Sequence, residues 1–322
     1  MSNSVTQNFL FSRILVAVCA VMVLFVVPVV AQTGTWQKMD VPLANIRTMT
    51  SNGSTLIIGT GNSGIFRSED DGETWLPTSA NTPLTTPTTV IANGATFYIG
   101  TSKGVFRSSS STTSSLEWNK FGQNLSDPVN ALWATESGKI LMATDKGIFE
   151  YINDMDQWKS KDQVEQKITS FAGFVNVVIA GGDSGKVYRS NNAGQEWQEL
   201  QKIPTSVTIS ALVMPTANTI LAGTTTGTVY RSLDTGRTWD IILSVEFMRK
   251  GVGNPIFTRE NVTLARRFGS AIFLGIGEAL CVSQDVGTTW SIFLPSIVLG
   301  RNDGASFVQY LDSVRAGLSS RP

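Results

Sequence analysis

The chain has 322 residues, 25 basic and 25 acidic side chains, and no histidine. Balanced charge argues against a nucleic-acid binder, which needs clustered basic residues. The lack of histidine removes the commonest general base and the commonest metal ligand.

In chain order, the first feature is a targeting segment. Arg13 precedes an apolar run over residues 14–30, and Val29 and Ala31 suit the −3 and −1 positions of a cleavage site. A basic start, an apolar core and small residues at the cut describe a secretory signal over residues 1–31, leaving a mature chain of residues 32–322. The alternative is an uncleaved anchor, although seventeen apolar residues are at the short edge for a membrane span. The expected location is outside the inner membrane: periplasmic, secreted or on the cell surface. Contact with a membrane is expected only if the segment stays attached. Cys19 leaves with the signal, so Cys281 has no disulfide partner.

From residue 32 onward one phrase ending in tryptophan recurs. Its cleanest copies are Ser68-Glu-Asp70-Asp-Gly72-Glu-Thr-Trp75, Ser232-Leu-Asp234-Thr-Gly236-Arg-Thr-Trp239 and Ser283-Gln-Asp285-Val-Gly287-Thr-Thr-Trp290. Ser190-Asn-Asn192-Ala-Gly194-Gln-Glu-Trp197 is close; copies ending at Trp118 and Trp158 are worn, and Trp36 keeps only the tail. Successive tryptophans are 39, 43, 40, 39, 42 and 51 residues apart. A period near forty is the length of a propeller blade.

Each repeat has the same internal order. A short alternating run such as 46–50 is followed by a turn such as Asn52-Gly53. A second run at 55–59 recurs at 96–100, 140–144, 176–181, 219–223 and 271–275, and a Gly-bearing turn then leads to a third run such as 64–68. The phrase opens the fourth. Short β-rich runs bounded by Gly, Asn and Asp predict strands and hairpins, four to a blade. The serine run at 108–115 reads as a lengthened hairpin tip. At the C-terminus, 306–310 and 313–317 resemble the first two strands of another blade. The expected fold is all-β: a single β-propeller of four-stranded blades, seven-bladed with a composite closing blade shared with the Trp36 segment. The alternative is a six-bladed ring with the tail as decoration.

The phrase Ser-x-Asp-x-Gly-x-Thr-Trp resembles the Asp-box of BNR repeat proteins, which include sialidases, sortilin-type receptors, xyloglucan hydrolases and photosystem II assembly factors. In that family the box is the hairpin between the third and fourth strands. The residue chemistry fits a structural part: Ser and Asp side chains bond backbone amides in a tight turn, Gly takes a positive φ, and Trp brings apolar bulk. Ser68, Asp70, Gly72, Trp75, Ser190, Asn192, Gly194, Trp197, Ser232, Asp234, Gly236, Trp239, Ser283, Asp285, Gly287 and Trp290 are therefore assigned to the scaffold. No cofactor or metal is expected.

An arginine precedes the box at Arg67, Arg107, Arg189 and Arg231, replaced by Glu150 and Val282 in the other two repeats. Repetition spreads these residues around the fold, whereas the arginine trio of a sialidase must converge. Pairing with nearby acids is the expected role.

The gap before Trp290 carries about ten extra residues, at 243–264. It holds Phe247, Met248, Arg249, Lys250, Phe257 and Arg259, with Arg266 and Arg267 beyond it. Aromatic and basic residues together suit a binding patch; the alternative is a solvated loop. Two functions compete. The first is a non-catalytic propeller binding a protein or glycan, similar to the photosystem assembly factors. The second is a glycoside hydrolase, which needs facing carboxyls or a tyrosine with a glutamate. Glu136, Glu246 and Glu260 are candidates without a distinguishing spacing, and the five tyrosines sit at repeat positions, in a worn box or in the tail. The resemblance favours the binding module, because a fold alone carries no activity.

Overall fold

The computed structural model describes residues 46–53, 55–61, 63–78, 87–109, 116–246, 248, 261–277, 279–295 and 307–310. Both the expected signal segment at 1–31 and Trp36 lie outside them.

Six antiparallel sheets follow one another along the chain, each strand bonded to the next in sequence. Blade one holds β1 (Ile46–Ser51), β2 (Leu56–Thr60), β3 (Ile65–Ser68) and β4 (Leu76–Pro77). Blade two holds β5 (Thr89–Asn93), β6 (Thr96–Thr101), β7 (Gly104–Ser109) and β8 (Asn119–Phe121). Blade three holds β9 (Val129–Ala134), β10 (Ile140–Thr144), β11 (Gly147–Ile152) and β12 (Gln157–Ser160). Blade four holds β13 (Ile168–Phe174), β14 (Val177–Gly182), β15 (Val187–Ser190) and β16 (Gln198–Glu199). Blade five holds β17 (Ile209–Val213), β18 (Ile220–Thr224), β19 (Thr228–Ser232) and β20 (Asp240–Ser244). Blade six holds β21 (Val262–Phe268), β22 (Ala271–Ile276), β23 (Ala279–Ser283) and β24 (Ser291–Pro295), with β25 (Phe307–Tyr310) as a fifth strand on its edge.

The protein is thus an all-β, single propeller of four-stranded blades, and the described residues make six of them. The six-bladed alternative is the count observed. The tail strand β25 pairs antiparallel with β24, from Ile292–Tyr310 to Pro295–Phe307. It extends blade six because an exposed strand edge offers unpaired backbone groups to the nearest segment.

Burial follows from the blade geometry. Second strands are sandwiched between two neighbouring blades, so Ile140–Thr144 and Ile220–Thr224 are buried at every position. That explains their near-continuous apolar sequences, since a strand covered on both faces does not alternate. First strands lie side by side in sequence: β1 by β5, β5 by β9, β9 by β13, β13 by β17 and β17 by β21.

Each of these five joints carries a side-chain bond at the start of a first strand. Thr48 Oγ1 accepts from Val90 N at 2.9 Å, Thr88 Oγ1 donates to Val129 O at 2.6 Å and Asn130 Nδ2 to Ile168 O at 2.9 Å. Thr169 Oγ1 donates to Ile209 O, and Ser210 Oγ to Val262 O at 2.7 Å. A glycine lies under several of these joints. A Cβ on Gly223 would stand 2.5 Å from Val262 Cβ, so blade six can approach blade five only where the side chain is absent.

Candidate functional site

The repeated phrase forms the turn between third and fourth strands of its blade. Ser68 Oγ donates to Asp70 Oδ1 at 2.7 Å and accepts from the buried Gly72 N at 2.8 Å, while Asp70 Oδ1 accepts from Thr74 N at 2.9 Å. Ser232 and Asp234 repeat this with Gly236 N at 2.7 Å and Thr238 N at 2.9 Å. Ser283 and Asp285 repeat it with Gly287 N and Thr289 N, both at 2.8 Å. In blade four Asn192 Oδ1 replaces the carboxylate and accepts from Glu196 N at 2.9 Å. The residue before each glycine and the glycine itself take positive φ, for instance Asp71 at 56° and Gly72 at 91°. Two successive left-handed residues explain why glycine is needed second.

These bonds set the electrostatics. The Thr74 hydroxyl and amide and the Ser68 hydroxyl bring Asp70 down to about 2. Asp234 is lowered by the amide and hydroxyl of Thr238, then Ser232. At Asp285 burial acts upward, but bonds from Thr289 and Ser283 outweigh it. Each carboxylate is held ionised by its own turn, which suits a structural anion and opposes a general acid.

The tryptophans wedge against the preceding blade. Trp118 Nε1 donates to Thr78 Oγ1, Trp158 Nε1 to Phe121 O and Trp239 Nε1 to Gln201 O, each at 3.0 Å. All three acceptors lie on or beside the fourth strand of the blade before. Trp197 instead bonds Gly194 O within its own turn, at 3.1 Å. Trp75 Nε1 and Trp290 Nε1 are buried with no partner.

The arginines ahead of the phrase are dispersed, one to a blade. Arg67 pairs with Glu69 at 2.8 Å, as expected. The others use different partners: Arg107 lies 5.1 Å over the Phe121 ring, Arg189 Nε donates to Asn191 Oδ1 at 2.7 Å, and Arg231 Nη1 reaches Thr288 Oγ1 of the next blade at 3.4 Å. Glu150 accepts from Lys139 at 2.7 Å and from Lys161.

Of the sequence-derived binding residues, Phe247, Arg249, Lys250, Phe257 and Arg259 lie outside the described residues. Met248 is described and fully buried, with Cys281 Sγ 3.9 Å from its sulfur. The start of the insertion is therefore core, which its apolar Val245 and Met248 could have signalled. Arg266 and Arg267 fall near the far end of β21, beside the hairpin to β22. By strand order that end carries the tryptophan-phrase turns, opposite to the insertion. Arg267 Nε donates to Gly269 O at 2.7 Å, and its guanidinium carbon sits 5.5 Å over the Phe174 ring of blade four. Arg266 Nη1 donates to Ala265 O at 3.1 Å; its side chain reaches solvent but is enclosed by protein, and that desolvation lowers its pKa. Sequence reasoning missed Phe174 as a partner, since nothing in linear spacing links blades four and six.

The hydrolase candidates do not converge. Glu136 is exposed in the β9–β10 hairpin and Glu246 is exposed after β20, at opposite ends of their blades, while Glu260 lies outside the described residues. Tyr188 does meet a glutamate, donating to Glu199 Oε2 at 3.2 Å. Burial first, then the Glu199 charge, pushes its hydroxyl up to about 12, the wrong direction for a nucleophile. Tyr151, bonded to Asp156 at 2.6 Å, is also raised to about 12 by burial and that carboxylate. Among the described residues no group of three or more Cys, Asp or Glu could hold a metal ion.

No protein-family model matches this chain, nor does any curated protein sequence. Solved structures do match in fold. YCF48 bound to D1 peptide superposes with a TM-score of 0.56 at 16% identity, over 75% of this chain and 79% of that one. The GH74 xyloglucanase from Xanthomonas campestris gives 0.61 at 12% identity, over 83% of this chain and 47% of that one. The extracellular domain of a hybrid two-component system from B. thetaiotaomicron gives 0.61 at 15%, over 85% and 42%. This chain thus spans less than half the length of the last two. At such identities the likeness is one of fold alone, that of a β-propeller.

Proposed function

We propose that the chain is an exported, non-catalytic propeller of BNR (Asp-box) repeats that acts as a binding or assembly scaffold for a protein or glycan. The leader at residues 1–31 supports export, to the periplasm, the cell surface or the medium. The observation that carries the scaffold reading is the commitment of the repeated side chains. Every clean copy of the phrase spends its serine and its aspartate or asparagine on its own turn, leaving the recurrent polar groups no reacting partner. The fold similarity to a propeller with a bound peptide gives a precedent for protein binding on this architecture.

The test is capture from an envelope extract of the source cells by residues 32–322, against a variant in which residues 249–260 are replaced by a short Gly/Ser linker. Buried Val245, Met248 and Val262 stay in place, so the core is kept. Capture of a protein by the full chain and its loss in the variant supports the scaffold and places its site on the insertion. Turnover of an oligosaccharide by the full chain overturns the non-catalytic reading.

A further inference from the structure

Two Asn-Gly pairs occur in the chain, Asn52-Gly53 and Asn93-Gly94. They hold the same place, the turn between first and second strands, in blades one and two. The pairing matters chemically. With no Cβ on the second residue, its backbone nitrogen can reach the side-chain amide carbon of the asparagine and close a five-membered ring. Both asparagines are half-buried and both glycines exposed, so exposure does not separate the two sites. Their hydrogen bonds do.

At Asn52 the side-chain oxygen accepts from Thr55 N at 3.0 Å, and the backbone N donates to Thr55 O at 3.2 Å. The first bond draws electron density from the amide carbon and stabilises the oxyanion that forms when this carbon is attacked. Among the described residues neither Gly53 N nor Asn52 Nδ2 donates to any acceptor, so the nucleophile and the leaving group are both free. Gly53 has a φ of 99°, and a Cβ built on it would meet nothing within 4 Å. Asn52 also lies just beyond β1, outside the strand ladder.

Asn93 is held differently. It is the last residue of β5, paired with Thr96 in the ladder. Its Nδ2 donates to Gly138 O of blade three at 3.2 Å, so the leaving nitrogen is anchored. A related pair, Asp71-Gly72 in the box of blade one, is blocked at the nucleophile instead: Gly72 N is buried and donates to Ser68 Oγ at 2.8 Å.

We propose that Asn52 is a site of spontaneous deamidation, a timer built into the first blade. Gly53 N attacks Asn52 Cγ, and the N–Cγ bond forms as the amide proton passes to solvent. Solvent returns a proton to Nδ2, the Cγ–Nδ2 bond breaks, and ammonia leaves. Water then opens the cyclic imide at either carbonyl, leaving aspartate or isoaspartate. The net change is a gain of water and a loss of ammonia. Isoaspartate inserts a methylene into the main chain of the turn, which separates Asn52 from Thr55 and opens the two bonds that close the hairpin.

The test is mass-spectrometric peptide mapping of residues 32–322 after timed incubation at mildly alkaline pH, with isoaspartate counted by enzymatic methyl transfer. In the folded chain Asn52 is expected to convert about tenfold faster than Asn93, which must first give up a hydrogen bond. In urea both pairs lie in free chain, and the gap should close. Equal rates, or a faster Asn93, in the folded chain overturn the proposal. So does a preference for Asn52 that persists undiminished in urea, which would assign it to the neighbouring residues and not to the turn. Aged protein is also expected to be cut by a protease within residues 51–55 sooner than fresh protein, and equal cutting overturns the role of timer.

Discussion

At the scale of single residues, the turn at Val286 is the most informative. Its φ is 60°, in the left-handed region, where a β-branched side chain is strained. Asp71, Ala193 and Thr235 hold the same place in their turns. Val286→Gly is expected to raise stability by about 1 kcal/mol, measured as a shift of the urea midpoint at unchanged slope. The aspartates one residue upstream give a pH signature. Because Asp70 is lowered to about 2 from the ordinary carboxyl value of 3.8, its contribution is complete above about pH 4 and is lost as pH falls towards 2. Asp70→Asn should remove this part of the acid sensitivity. Blade four needs no such change, since Asn192 already accepts the same amide without a charge. This chemistry was fully legible in the sequence, because every bond of the turn is local.

At the scale of the element, blade three replaces the recurrent arginine with a carboxylate and surrounds it with cations. Burial acts upward on Glu150, but Lys139 and Lys161 outweigh it and its pKa is lowered. Lys161 is only 13% exposed, so deleting its partner strands a mostly buried ammonium. Glu150→Ala is expected to cost about 3 kcal/mol in urea unfolding, and Glu150→Gln clearly less, as the amide still accepts a hydrogen bond. Elements are also where sequence reading reached its limit. The strands of each blade follow from short apolar runs and their turns. The placement of Arg266 and Arg267 on the turn end of β21 depends on strand direction, which an insertion count does not convey. Met248 looked like part of a surface loop because its neighbours Arg249 and Lys250 are charged, yet it completes the core between blades five and six.

At the scale of the whole molecule, the forty-residue period specified a propeller of four-stranded blades before any coordinate was known. It did not decide the count of blades. Weak strand patterns at the C-terminus suited either a new blade or an extra edge strand, and backbone pairing with β24 chose the edge. The five polar links between first strands were hidden as well, since Thr48, Thr88, Asn130, Thr169 and Ser210 are chemically unlike and share only a position. Those links have a mechanical consequence. Among the described residues these interfaces are fastened in series from blade one to blade six, so under tension they behave as a zip and not as a hoop. Pulled through anchors in blades one and six by optical tweezers, the protein is expected to unravel in blade-sized steps from those ends inward. An engineered disulfide linking blade one to blade six should merge the steps into a single rupture at higher force.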